Sequence, residues 1–154
     1  MIASADFPGD AITWDAPDGD HPARVASQRS YAGVARGVFE DWVRVYAEDA
    51  SIEDPVGPSM FDPEGVGHHG HAGIKEFWDT AIAPIASFHF HITDSHAHGN
   101  TCANVGRITT TFEDGGVVDT DLVMVYTVNE RGLVQSMKAY WEPERAMATY
   151  RREA

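Results

Sequence analysis

From Ala86 to Trp141 the chain repeats one pattern, runs in which apolar and polar residues alternate between clusters of turn formers. Phe88, Phe90 and Ile92 alternate with His89, His91 and Thr93; His98-Gly99-Asn100 supplies a turn; and a second run extends from about Cys102 to Phe112. Asp114-Gly115-Gly116 is a strong hairpin signal, Val117 to Val128 makes a third run, and Asn129-Glu130-Arg131-Gly132 leads into a fourth, Leu133 to Trp141. Period two sends one side of each run to a core and the other to water, so the spacing predicts a four-strand antiparallel meander. Such a sheet needs a cover for its apolar face.

The first half of the chain offers that cover. Pro22 suits a first helical turn and Asp20 adds favourable negative charge there, which predicts a helix to about Ala35, weakened at Gly33 and Gly37. Phe39, Trp42, Val43 and Tyr46 fall at i, i+3, i+4 and i+7, a second helix with Glu40, Asp41, Arg44 and Glu48 facing away. Ile74, Phe77, Trp78, Ala81 and Ile82 give a third, stopped by Pro84. Ser51-Ile52-Glu53-Asp54 reads as a short strand closed by Pro55. The loop from Val56 to Gly70 is long enough to be a lid or binding loop, with a disordered surface loop as the competing reading. The fold class is therefore α+β. Residues 1–20 hold only Phe7, Ile12 and Trp14 as large apolar groups beside Asp6, Asp10, Asp15, Asp18 and Asp20, and are expected to form an extended acidic arm. Residues 21–154 are expected to form one domain.

A formal net charge of −13 repels phosphate backbones, and the eleven basic residues form no stripe, so nucleic acid and anionic membrane are poor partners. No run approaches the length of a membrane span and the N-terminus lacks a signal-peptide pattern, so a cytoplasmic protein is expected. The lone Cys102 excludes an internal disulfide and fits a small buried side chain. His68, His69 and His71 cluster beside a helix start and His89 and His91 share a strand face, but no Cys or acidic partner stands at a recognised metal-site spacing. No metal and no cofactor is expected, and Gly-x-Ser-x-Gly, phosphate-loop and Cys-x-x-Cys patterns are absent.

Glu53-Asp54-Pro55-Val56-Gly57 carries the chemistry best. A carboxylate at a strand end, before a proline that forbids helix and a glycine that permits a bend, is held in place. From the residues alone it either caps the following turn or faces a pocket.

Tyr46-Ala47-Glu48-Asp49-Ala50-Ser51-Ile52-Glu53-Asp54-Pro55-Val56-Gly57 closely resembles the run leading into the Asp-Pro-Val-Gly of ketosteroid isomerases. Gly70-His71-Ala72-Gly73-Ile74-Lys75-Glu76-Phe77 and Val134-Gln135-Ser136-Met137-Lys138-Ala139-Tyr140-Trp141 resemble, in order, the glycine before the third helix and the final strand of the same superfamily. That superfamily is the cone fold shared with nuclear transport factor 2 and the SnoaL-like cyclases. Over about Ser27 to Glu142 the resemblance implies three N-terminal helices on a curved, mostly antiparallel sheet, pairing as a homodimer through its outer face; Val123 and Val125 on that face agree with such pairing or could equally meet the N-terminal arm.

It also implies a steroid delta-isomerase type of activity, an intramolecular oxidoreductase reaction on a steroid-like or polycyclic ketone, with Asp54 as the base that moves a proton between carbons. The family's oxyanion donors are a tyrosine on the first helix and a protonated aspartate on the penultimate strand. Ungapped alignment puts Ser30 at the tyrosine, with Tyr31 next to it, and Met124 at the acid; Asp121 points to the opposite face. Leu122, Met124, Tyr126, Leu133, Met137, Ala139 and Trp141 would form the inner face, with Leu122, Met124, Tyr126, Met137 and Trp141 as walls for a small hydrophobic ligand. Two alternatives follow: a ligand-binding protein without turnover, and a SnoaL-like cyclase or dehydratase using Asp54 with a histidine, His89 or His91. An epoxide hydrolase of this superfamily is not supported, because Arg107 followed by Thr109 does not supply its strand motif.

Overall fold

The computed structural model describes residues 11–152. In chain order it contains β1 (Ile12–Trp14), α1 (Pro22–Arg36), α2 (Phe39–Val43), β2 (Tyr46–Glu53), β3 (His68–His69), α3 (Gly70–Phe77), a π-helical turn (Trp78–Ile82), β4 (Ile85–His98), β5 (Thr101–Phe112), β6 (Gly116–Val128), β7 (Val134–Tyr140), α4 (Pro143–Met147) and β8 (Arg151–Arg152). The strands form one sheet in the order β1-β4-β5-β6-β7-β2-β3, with β8 against the start of β6. β4 to β7 are the expected antiparallel meander, whereas β1 on β4 and β2 on β7 pair in parallel. Register breaks at Ile92/Asp94 in β4 and Thr127/Val128 in β6 bend this sheet, and the helices cover its inner face.

α1 starts as its sequence suggested: Pro22 is in the first turn, and His21 caps it by accepting from the Ala23 amide at 3.1 Å. Gly37, at φ 73°, ends it in the left-handed conformation. Gly33 does not break the helix. A Cβ there would sit 3.0 Å from Trp42, so its missing side chain lets α1 approach α2 closely.

Two expectations need correction. Tyr46 does not continue the second helix, which ends at Val43; it opens β2, where it pairs with Val134 of β7. Sheet pairing overrides the helical spacing, while the side chain still packs on Trp42 with ring centroids 4.9 Å apart. The third helix keeps its apolar face, with Ile74, Phe77, Trp78 and Ile82 buried, but its second half is a π turn. β1, β3, β8 and α4 are additional elements, too short to show a period.

Of the expected arm, residues 1–10 lie outside the described residues, and Ile12–Trp14 is an edge strand in register with Phe90–Ile92. Among the described residues no helix is long and apolar enough to cross a membrane. Cys102 is free and fully buried.

Candidate functional site

Between the helices and the inner sheet face lies a cavity of about 370 Å³. Leu122, Met124 and Tyr126 reach it from alternate positions of β6, Met137 from β7, and Trp141 from just beyond β7. Tyr31 comes from α1 and Asp54 from the end of β2, so the seven residues singled out in the sequence share one cavity. Its walls are otherwise mainly apolar, with Phe77, Phe88, Phe90 and Ile108 among them. Among the described residues, Asp54 is the one carboxylate in the lining.

Asp54 is placed by sheet pairing. β2 runs beside β7 as far as Glu53 opposite Lys138, and the chain then turns through a cis Asp54–Pro55 bond. The Val56 amide donates to the Ala139 carbonyl at 2.9 Å, tying the outgoing loop to β7. The Trp141 indole N–H donates to Asp54 Oδ1 at 2.6 Å, and this bond, rather than a cap on the following turn, occupies the carboxylate. Burial pushes the Asp54 carboxyl up to about 6, with the Trp141 bond pulling the other way. A carboxylate in that range can take a proton from carbon and return it near neutral pH.

Two hydrogen-bonded arrays bring Ser30, Tyr46 and Tyr31 to the same cavity as this base. Trp42 Nε1 donates to Ser30 Oγ at 3.1 Å, and Ser30 Oγ lies 2.8 Å from the Tyr46 hydroxyl. Asn104 Nδ2 donates to the Tyr31 hydroxyl at 2.9 Å. The Tyr31 ring stacks on Phe90 at 4.9 Å and meets Tyr126 edge-on at 5.9 Å. Burial pushes the Tyr31, Tyr46 and Tyr126 phenols well above their usual range, and the Asp54 charge adds to this for Tyr46 and Tyr126. All three are neutral hydrogen-bond donors at physiological pH.

Met124, at the position matched to the isomerases' acid, is buried in the cavity wall and offers sulfur but no proton. Asp121 lies on the outer face, paired with Arg107 at 2.7 Å. The histidine alternative loses its geometry. His89 Nε2 is 3.2 Å from Thr13 Oγ1 and His91 Nε2 is 2.8 Å from Asp15 Oδ2, both on the side opposite Phe88 and Phe90, and neither lines the cavity. His71 bonds to the Tyr46 carbonyl at 3.0 Å. Strand alternation decides this: with Phe88 and Phe90 facing in, their histidine neighbours face out.

The 56–67 loop reaches the cavity through Met60 and Phe61. Asp62 organises it, accepting from the amides of Gly65, Val66 and Gly67 at 3.1, 3.2 and 2.7 Å, and these bonds hold its carboxyl below the usual range. Trp42, Tyr46 and Asn104 escaped selection from sequence as site residues, and Ser30, aligned with the isomerases' tyrosine, lines the cavity beside Tyr31. Asn104 left one signal, a polar side chain two residues from Cys102 on the inward face of an otherwise alternating strand.

The family model of the SnoaL-like domain matches residues 27–137. The chain belongs to the SnoaL-like domain family. No curated protein matched it. Among solved structures, RV0760c from Mycobacterium tuberculosis is 27% identical with a TM-score of 0.78, covering 89% of this chain and 100% of that one. The same protein in complex with estradiol-17beta-hemisuccinate matches at 28% identity and a TM-score of 0.75, covering 86% and 99%. The Delta 5-3-ketosteroid isomerase from Mycobacterium sp. is 29% identical with a TM-score of 0.77, covering 87% of this chain and 100% of that one. These SnoaL-like neighbours share the curved sheet and the helical cover.

Proposed function

We propose that this SnoaL-like protein binds a flat, hydrophobic ketone of steroid-like or polycyclic type and moves a proton between two of its carbons, with Asp54 as the shuttle. The observation that carries this reading is one raised-pKa carboxylate in an apolar cavity of about 370 Å³, a volume suited to a small rigid ligand. Tyr31 is the hydrogen-bond donor for the ligand oxygen. Met124, Met137, Trp141, Tyr126 and Leu122 are the walls that hold the ring system. The likeness to a ketosteroid isomerase and to a protein crystallised with an estradiol ester supports the ligand class.

A second reading, binding without turnover, is favoured by one observation. Met124 cannot supply the second oxyanion donor, which lowers the expected stabilisation of an enolate. One experiment separates the two. Purified protein is given a β,γ-unsaturated ketosteroid and the conjugated product is followed by its ultraviolet absorbance, while equilenin binding is followed by fluorescence. Turnover that disappears in Asp54→Asn supports the isomerase. Equilenin binding without turnover supports the binder, and absence of both removes the steroid class.

A further inference from the structure

The Tyr31 hydroxyl is backed by a hydrogen-bond chain that runs in from Arg24. Arg24 Nε donates to Ser95 Oγ at 2.9 Å and Arg24 Nη2 to the Ser95 carbonyl at 3.2 Å. A guanidinium has no acceptor, so the Ser95 hydroxyl keeps its own hydrogen for other partners: it donates to Asn104 Oδ1 at 2.7 Å, with Cys102 Sγ farther off at 3.5 Å. Cys102 Sγ also donates to that oxygen, at 3.2 Å. With two donors on Oδ1, the amide nitrogen of Asn104 faces Ser27 Oγ and the Tyr31 hydroxyl, each at 2.9 Å. Ser27 agrees, since its own hydrogen goes to the Arg24 carbonyl at 2.7 Å and its oxygen is left to accept. In this orientation each partner of the amide has a matching role.

The consequence falls on Tyr31. Its oxygen accepts from Asn104, which turns its own hydrogen away from the amide, while the Tyr126 hydroxyl donates to Met124 Sδ at 3.9 Å. The Tyr31 side chain lines the cavity, where its hydrogen can meet the Tyr126 oxygen or a ligand oxygen. Ser95 and Asn104 are both buried, where aligned hydrogen bonds polarise one another.

We propose that Asn104 is a positioning residue: the chain Arg24, Ser95, Asn104 makes the Tyr31 oxygen an acceptor toward the amide and turns its hydrogen to the cavity side, where a ligand oxygen competes with Tyr126 for it. It strengthens a donor in a cavity where Met124 offers none. The proposal rests on the reading of the cavity as a ketone site, but it can be tested apart from it. Fluorotyrosine is placed at position 31 and its ionisation followed by fluorine NMR on the ligand-free protein, with circular dichroism as a check on folding. Tyr46, Tyr126 and Cys102 are the titratable groups facing it.

Asn104→Leu is expected to raise the midpoint by about one pH unit, because a donor to the phenolate is lost. Arg24→Gln and Ser95→Ala, farther from the ligand cavity, should raise it by less, and Arg24→Lys should restore most of the parental value. A midpoint unmoved by Asn104→Leu and Arg24→Gln in folded protein overturns the proposal. If Asn104→Leu does not fold, Arg24→Gln and Ser95→Ala decide alone. The ligand arm uses testosterone, whose bound enone absorbance should show a red shift that shrinks in Asn104→Leu, with no further loss when Tyr31→Phe is added. Moved midpoints without testosterone binding uphold the chain and remove the ketosteroid reading, whereas binding with unmoved midpoints removes the chain alone.

Discussion

At the scale of single residues, Asp54 joins function to stability with opposite signs. Its carboxyl is raised from 3.8 to about 6, so the folded protein binds a proton more readily than the unfolded chain. Stability from this group is fully present below the unfolded value and is lost as pH rises through about 6. At pH 7 and above the buried charge costs roughly 2–3 kcal/mol. Asp54→Asn is therefore expected to raise stability in urea melts by about that amount at pH 8 and by almost nothing at pH 4. The same substitution should lower any isomerase turnover by about 100-fold or more. The turnover of the parent should rise with pH to a plateau, with a midpoint near 6. Trp141→Phe removes the donor that holds the carboxyl down, so this midpoint should move up by about one unit. A pH–rate series on both proteins checks it. Asp54 was legible as a fixed carboxylate because proline and glycine follow it. Its partner Trp141, 87 positions away, was visible only as a wall residue, since no local pattern couples the two.

At the scale of elements, the 56–67 loop depends on one side chain. Asp62→Ala removes three acceptor contacts to backbone amides, and hydrogen exchange at Gly65, Val66 and Gly67 is expected to quicken markedly while the amides of β5 and β6 stay protected. If Met60 and Phe61 act as a lid, ligand release should quicken in the same variant, which stopped-flow fluorescence with equilenin would read. The meander was readable because strands and hairpin turns are local signals. The second helix misled at Tyr46 because i+7 spacing continued past the helix, and the pairing of Tyr46 with Val134 is a contact no short window contains.

At the scale of the whole molecule, the outer sheet face carries Val123 together with the exposed Val105 and Tyr140, the last 49% exposed. A homodimer through this face is expected to give twice the 16.9 kDa chain mass by light scattering, and Val123→Arg should return it to monomer with cavity binding intact. The net charge of −13 argues against phosphate-rich partners at this scale and names none. The sequence by itself determined the class of fold, the order of its first and third helices and its meander strands, the position of Asp54 and the apolar inner face of β6 and β7, because periodicity and turn chemistry are local. Only the tertiary structure decided that His89 and His91 bond to Thr13 and Asp15. It alone brought Trp141 to Asp54 and built the chain from Arg24 through Asn104 to Tyr31. Those choices are made by strand register and helix docking, where residues more than seventy positions apart meet at hydrogen-bond distance.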